Sequence, residues 1–180
     1  MRIIAGEFGG RRLQAPKGDA TRPTTDRARE ALFARLGDVD GCHVLDLFAG
    51  SGALAFEALS RGAQHAVIVD SDLAAIRCAR ANATALGVEH RVTIRRSDFR
   101  LALTAAVRRA DQFDLVFVDP PYVAFAGYSQ MLRELVPGVL AGGARVVVES
   151  AEGFDLGDGW NGAEAKRYGA TQIQILTYGS

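Results

Sequence analysis

Residues 43–62 read HVLDLFAGSGALAFEALSRG, and AVIVD follows at 66–70. His43–Leu47 is a short apolar strand, Gly50-Ser51-Gly52 a turn, and Ala53–Arg61 a helix stopped by Gly62. Glycines at such a turn permit a tight reversal and the close approach of a ligand to the backbone. Strand, glycine turn, helix and second strand make one βαβ unit, the building block of a parallel sheet.

The alternation continues outward from this unit. Residues 72–86 place Leu73, Ile76, Ala79, Ala83 and Leu86 in helical phase before Gly87. Arg91–Arg95 is a strand and Phe99–Arg109 a helix. Phe113–Val118 is almost unbroken apolar, as expected of a strand buried on both faces. Ser129–Leu135 is a helix broken by Pro137-Gly138, and Arg145–Glu149 a further strand. Residues 164–168 and 171–178 form a closing hairpin about Gly169. On the N-terminal side, residues 2–14 read as two short strands around Gly9-Gly10, and Pro16, Gly18 and Pro23 mark a loop. A helix then starts at Thr25 or Asp26, with Ala28, Leu32 and Leu36 on one face. The fold expected is α/β: a Rossmann-like, seven-stranded, mostly parallel sheet with helices on both faces and a C-terminal antiparallel hairpin. A basic extension over 1–36 precedes the main domain at 37–180.

Composition narrows the function classes. The chain has 180 residues, 48% hydrophobic and 23% charged, the balance of one globular domain. No apolar run approaches the ~18 residues of a membrane span. The opening MRIIAGEFGG has no apolar signal core, and Cys42 and Cys78 make no CxxC pair, which together suit a reducing cytoplasm. His43, His65 and His90 have no metal-ligand spacing, so no metal is expected. Net charge is zero, yet residues 1–36 hold eight basic residues against four acidic ones. That surplus suggests an anionic partner, with Arg11, Arg12, Arg22 and Arg29 as candidates for phosphate contacts.

Three strands end in acids: Asp46, Asp70 and Asp98. All would lie along the carboxyl edge of the sheet, where open α/β folds bind ligands. Asp70 stands where a carboxylate accepts both hydroxyls of a ribose. Asp98 can accept from an adenine amino group while Phe99 lines the ring. Gly50 and Gly52 lie against the ligand, flanked by Phe48, Ser51 and Ser71. The turn lacks the G-K-[ST] of a P-loop. Asp46 would repel a pyrophosphate and welcome a cationic sulfonium or ammonium, which favours S-adenosylmethionine over a nicotinamide dinucleotide. Asp119-Pro120-Pro121-Tyr122 directly follows the fourth strand. Consecutive prolines stiffen the chain, a carboxylate beside free carbonyls can grip an amino group, and Tyr122 offers a ring for a planar base.

The chain resembles the class I S-adenosylmethionine-dependent methyltransferases that methylate amino groups: DLFAGSG is similar to their first cofactor motif and DPPY to their fourth. RIIAG at 2–6, TRPTTDRAREALF at 21–33 and RYG at 167–169 extend the resemblance to the RsmD family. That family methylates N2 of one guanine in 16S rRNA of the bacterial small subunit, and the site implied is guanine 966. Asp70 departs from the Glu that many relatives carry. The resemblance implies that Asp119 and the Pro120 carbonyl accept the two amino hydrogens of the target. It implies rRNA, in an assembling small subunit, as the partner of a monomeric enzyme. Alternatives from the residues alone are a DNA or other RNA adenine amino-methyltransferase, which would usually need an added recognition domain, and a dinucleotide oxidoreductase.

Overall fold

The computed structural model describes residues 1–16, 26–120, 122–150, 160–168 and 171–179, with the backbone alone for 122–126, 162–164, 168 and 171. Helix α1 (Asp26–Leu36) is followed by β1 (His43–Leu47), α2 (Ala53–Ser60), β2 (His65–Asp70), α3 (Leu73–Leu86), β3 (Val92–Arg96) and α4 (Phe99–Arg109). Then come β4 (Phe113–Val118), α5 (Tyr122–Leu135), β5 (Leu140–Ser150), β6 (Trp160–Tyr168) and β7 (Thr171–Tyr178). The strands form one sheet in the order β3-β2-β1-β4-β5-β7-β6. The first five are parallel, and β7 pairs antiparallel with both β5 and β6. Strand order therefore reverses between β1 and β4, and a crevice opens at their carboxyl ends.

Alternation along each strand divides the core in two. Val44, Ala66, Ile68, Leu115, Phe117, Val147 and Ile173 face one side, under Phe56, Leu59, Ala79 and Ala83 of α2 and α3. Leu45, Leu47, Val69, Val116, Val118 and Val148 face the other, under Phe99 and Leu103 of α4 and Leu132 of α5. Ile3, Phe8, Leu13, Leu32 and Phe33 belong to the first cluster, so the N-terminal segment is part of the sheet's own core.

That segment makes the chain reversal expected, in irregular form: an antiparallel bridge joins Arg2 to Arg12, and Ile3, Gly10 and Leu13 N–H donate to the Arg11, Ile3 and Met1 carbonyls (2.9, 2.9 and 3.1 Å). The donors of residues 4, 5, 7 and 8 turn instead toward α2. Ile4 and Ala5 N–H donate to the Glu57 carboxylate (2.7 and 3.2 Å), Phe8 N–H donates to Ser60 Oγ (2.9 Å), and Glu7 N–H donates to the Ser60 carbonyl (2.7 Å). Gly6, at φ +85°, passes so close that a Cβ would lie 1.8 Å from the Ser60 carbonyl oxygen. Helix α5 is also longer than expected, starting at Tyr122 rather than Ser129. The proline pair precedes its first turn, where N–H groups have no partner within the helix, and Gly127 sits inside the helix without ending it.

Glu57 is the buried anchor of this arrangement. It is fully inaccessible, receives the two backbone donors above, and pairs with Arg61 (2.8 Å) and with Arg29 (3.6 Å), itself 1% exposed. Removing one partner of a buried pair leaves the other charge unpaired in low dielectric, at a cost of roughly 3–5 kcal/mol. Glu57→Ala should lower the melting temperature by roughly 6–20 °C, at about 2–4 °C per kcal/mol for a chain of this size. Thermal unfolding followed by circular dichroism reads it directly, and a loss under 2 °C would mean that the pair anchors nothing.

Candidate active site

β1 leads straight into the glycine turn. Ala49 N–H donates to the Val69 carbonyl (3.0 Å) and Gly52 N–H to the Ala49 carbonyl (2.8 Å), fixing the turn against β2. Phe48, Gly50 and Gly52 all have left-handed backbone, with φ of 64°, 56° and 79°. At Gly52 a Cβ would lie 2.6 Å from the Phe56 ring, so the position demands glycine for space as well as for φ. Asp70 Oδ2 accepts from Gly50 N–H (2.8 Å) and its Oδ1 from Asp72 N–H (2.8 Å). The carboxylate thus shapes the turn, and it keeps lone pairs for a further donor. Asp72 is the N-cap of α3.

Side-chain parity places the acids together. Asp46 and Asp70 share the face of Val44 and Ile68, and continuing β4 and β5 by the same alternation puts Asp119 and Glu149 there too. Asp46 is buried and accepts from Ala55 N–H at 3.2 Å. Burial pushes its carboxyl up to about 8; the Ala55 hydrogen bond opposes this and Asp70 adds to it. Burial likewise holds the Asp119 carboxyl well above the usual range, and the Glu149 and Asp46 carboxyls raise it further. Glu149, 8% exposed, was not among the residues singled out by sequence, although its place at the end of the fifth strand was a usable signal.

The remaining candidates are arranged as follows. Ser51 is buried, with its hydroxyl on Met1 Sδ (3.6 Å), and Ser71 accepts from Arg96 Nε (3.2 Å) through its carbonyl. Asp98 caps α4, accepts from Arg100 N–H (2.8 Å) and pairs with the Arg100 guanidinium (2.7 Å), which holds its carboxyl below the usual range. Phe99 packs against Phe48 (5.0 Å between centroids) and Tyr128 (4.8 Å), while Phe48 and Tyr128 stack at 5.8 Å. Tyr128 was missed because α5 was expected to begin one residue after it. Pro120 is buried; Pro121 and Arg22 lie outside the described residues, and Tyr122 is placed by its backbone as the first residue of α5.

The arginines divide. Arg29 is a correction: its guanidinium is buried, donates to the Arg2 carbonyl and to Asp26 (3.0 Å), and pairs with Glu57, so it cannot reach a phosphate. Arg11 donates to the Ala85 and Leu86 carbonyls at the C-terminus of α3, where a cation suits the helix dipole. Arg12 is exposed and lines a groove of about 650 Å³ with Arg2 and Asp26. Asn82, also missed, is buried and binds this region to the turn. It donates to the carbonyls of Ser51 and Gln14 (3.0 Å each) and accepts from Gln14 N–H (2.7 Å). Among the described residues no cluster of His, Cys, Asp and Glu could hold a metal, and no helix is long and apolar enough to cross a membrane.

Known proteins share this arrangement. YlbH of Bacillus subtilis is 46% identical over 123 residues, 68% of this chain and 67% of its own length. Ribosomal RNA small subunit methyltransferase D of Escherichia coli is 38% identical over 123 residues, so the matched part spans 60% of that relative. The solved structure of yhhF from Escherichia coli superposes with a TM-score of 0.85 at 32% identity, covering 100% of this chain and 98% of that one. A family model described as conserved hypothetical protein 95 matches residues 1–177, and the chain belongs to that family, the RsmD family of methyltransferases.

Proposed function

We propose that the chain methylates N2 of a guanine in 16S ribosomal RNA, using S-adenosylmethionine. The observation that carries this reading is the meeting of Asp46 and Asp119 at the reversal of strand order, one near the carboxyl end of β1 and the other directly after β4. When bound, S-adenosylmethionine supplies an electrophilic methyl on a cationic sulfur. Asp46, buried at the turn, favours a cationic group beside it; Gly50 and Gly52 allow backbone contact; Asp70 accepts ribose hydroxyls; Asp98 accepts from the adenine amino group, with Phe48 and Phe99 as the apolar wall. Ser51 and Ser71 border the same turn and strand end.

Asp119 and the Pro120 carbonyl accept the two amino hydrogens and aim the nitrogen lone pair. Asp119 must be ionised to do this; the amino hydrogens facing it favour the carboxylate, which is then more basic than an ordinary one and both stabilises positive charge growing on that nitrogen and takes the proton it must lose. Tyr122 supports the base, taken out of its helix or loop, by stacking. Arg12, with Arg11 beside it, holds backbone phosphate, and residues 1–36 serve as the RNA-side extension of the methyltransferase domain at 37–180. The protein acts as a cytoplasmic monomer on an assembling small subunit. Labelled cofactor offered with 16S rRNA, partly assembled small subunits and DNA tests the substrate. Nuclease digestion and mass analysis should then find N2-methylguanosine, and label confined to adenine or to DNA would overturn the reading.

Three further outcomes are expected. The Asp46 carboxyl stays protonated in the free protein below about 8, and a neighbouring cation favours its ionised form. Cofactor binding at pH 7 should therefore release a proton, and affinity should rise with pH before levelling off above about 8. Calorimetry in buffers of different ionisation enthalpy measures this; a binding enthalpy equal in all buffers, or an Asp46→Asn variant with the same proton release, would remove Asp46 from the role.

Asp70→Ala should weaken S-adenosylmethionine by roughly 1–3 kcal/mol, since the ribose loses an ionised acceptor and the Gly50 turn its tie. Unchanged calorimetric affinity would place the ribose elsewhere.

Asp119→Ala should keep cofactor affinity and lose methyl transfer by on the order of 10²-fold or more. Tyr122→Ala should slow transfer through lost stacking of roughly 1–3 kcal/mol, while Tyr122→Phe keeps the ring and the activity. Normal single-turnover rates in Asp119→Ala would refute the amino-gripping account.

A further inference from the structure

Segment 91–109, RVTIRRSDFRLALTAAVRR, holds six arginines and one acid, a larger surplus than that of residues 1–36. It forms β3, an edge strand of the sheet, and α4. Most of these arginines are engaged. Arg91 donates to the Leu59 and Ala63 carbonyls (3.0 and 2.7 Å) and pairs with Glu7; Arg96 donates to the Ser71 carbonyl; Arg100 pairs with Asp98 and Arg109 with Asp111. Arg108, exposed on α4, and Arg95 are the exceptions, and Arg95 is the one that is not in open solvent. It is half-buried on β3, and among the described residues its guanidinium has no hydrogen-bond or ion-pair partner.

Arg95 lines a cleft of about 260 Å³ with His43, His65, Val67, Arg109 and Asp111, at the amino ends of β1 and β2. Helix α4 covers Leu45, Leu47 and Val69 toward the carboxyl edge and leaves this part of the same face open. Each imidazole has one nitrogen taken by a neutral partner: His43 Nε2 lies 3.2 Å from Gln64 Oε1 and His65 Nε2 lies 2.9 Å from Thr93 Oγ1. Thr93 can donate to His65 Nε2 and leave His65 Nδ1–H as a donor for a ligand, whereas His43 Nε2 donates to Gln64 and the ring offers a second N–H only when protonated. Asp111 is occupied by two donors of Arg109 (3.0 and 2.6 Å), and Asp114 by the His43 backbone N–H (2.8 Å). The charge left over at the cleft is that of Arg95. A half-buried guanidinium without a partner, flanked by two imidazoles, matches a phosphate group, which takes a bidentate arginine and accepts further N–H donors.

We propose that this cleft binds a phosphate of the RNA backbone, with Arg95 as its principal contact and His43 and His65 beside it. The cleft extends from His43 and His65 at the amino ends of β1 and β2 to Arg95, whose backbone is in register with Val69 and Leu47 near the carboxyl ends, so it is within reach of nucleotides flanking a target held at that edge. The RNA as source rests on the function proposed above; the phosphate site does not. Two measurements on the full chain test it. Inorganic phosphate, titrated against wild type and Arg95→Ala, should move the imidazole proton resonances of His43 and His65 in the wild type alone. Binding of a 16S rRNA fragment should weaken severalfold in Arg95→Ala, with the slope of log affinity against log salt smaller by about one. Thermal unfolding and cofactor affinity of the variant should match the wild type; if they do not, Arg95→Lys, which keeps the charge and the stem, should retain most of the slope. Unmoved imidazoles together with unchanged RNA binding overturn the site. Phosphate binding with unchanged RNA binding overturns the RNA source and leaves a site for free phosphate. A wild type that binds no RNA overturns the function proposed above, while the phosphate titration still decides the cleft.

Discussion

Carboxyl groups at the ends of neighbouring strands, on one face of a buried sheet, cannot all be charged at once. Asp46, Asp119 and Glu149 stand in that relation, and burial raises the first two before their mutual repulsion adds to it. A protein that kept such a cluster for stability alone would gain little, because dehydrated carboxyls cost free energy unless paired or hydrogen-bonded. Asp46 has Ala55 N–H to offset its burial. The cost makes chemical sense if a cation beside Asp46 and an amino group beside Asp119 complete the site. The same low dielectric that penalises the empty cluster then strengthens each contact to the ligands.

The topology makes the cluster possible. Parallel strands bring all their carboxyl ends to one edge, and the reversal between β1 and β4 leaves a gap there that no crossover helix fills. Around this gap the supports are polar and specific. Asp70 braces the glycine turn, Asn82 ties the turn to Gln14, and Glu57 holds the chain at Ile4 and Ala5. The N-terminal segment is thereby fixed to α2 and to the glycine turn by buried hydrogen bonds, and Arg12 lines the groove this segment forms with Asp26.

What the sequence made legible follows from which forces are local. Hydrophobic periodicity located the central strands β1, β2, β4 and β5, because burial on two faces writes an apolar run into each, while the edge strands β3 and β6 were placed by their neighbours and turns rather than by an apolar run. The glycine turn and the acids of β1 and β2 were readable because strand ends have fixed positions relative to the turn. The N-terminal segment was legible only in part: the chain does reverse at Gly9-Gly10, yet Ile4, Ala5, Glu7 and Phe8 donate to Glu57 and Ser60, more than 50 positions away. Arg29 misled for the same reason, since Glu57 lies on another element and local charge cannot reveal a buried pair. Tyr128 was hidden because the helix was expected to begin at Ser129, whereas α5 runs through Gly127 and packs Tyr128 against Phe48 and Phe99.

Charge counted along the chain is therefore a poor map of charge available to a partner. The excess at residues 1–36 shrinks once Arg29 is buried against Glu57 and Arg11 is committed to the carbonyls of α3. The excess at 91–109 shrinks in the same way, as Arg91, Arg96, Arg100 and Arg109 are each engaged by carbonyls or acids. After that subtraction the arginines that matter for an anionic partner are those with solvent or a cleft in front of them and nothing of the protein's own to satisfy them. Arg12 beside the N-terminal groove and Arg95 at the open face of β3 are such residues. Arg12 belongs to the N-terminal segment packed on the α2–α3 side of the sheet, and Arg95 shares the face of Val69 on the other side, so the two charges are presented from opposite faces.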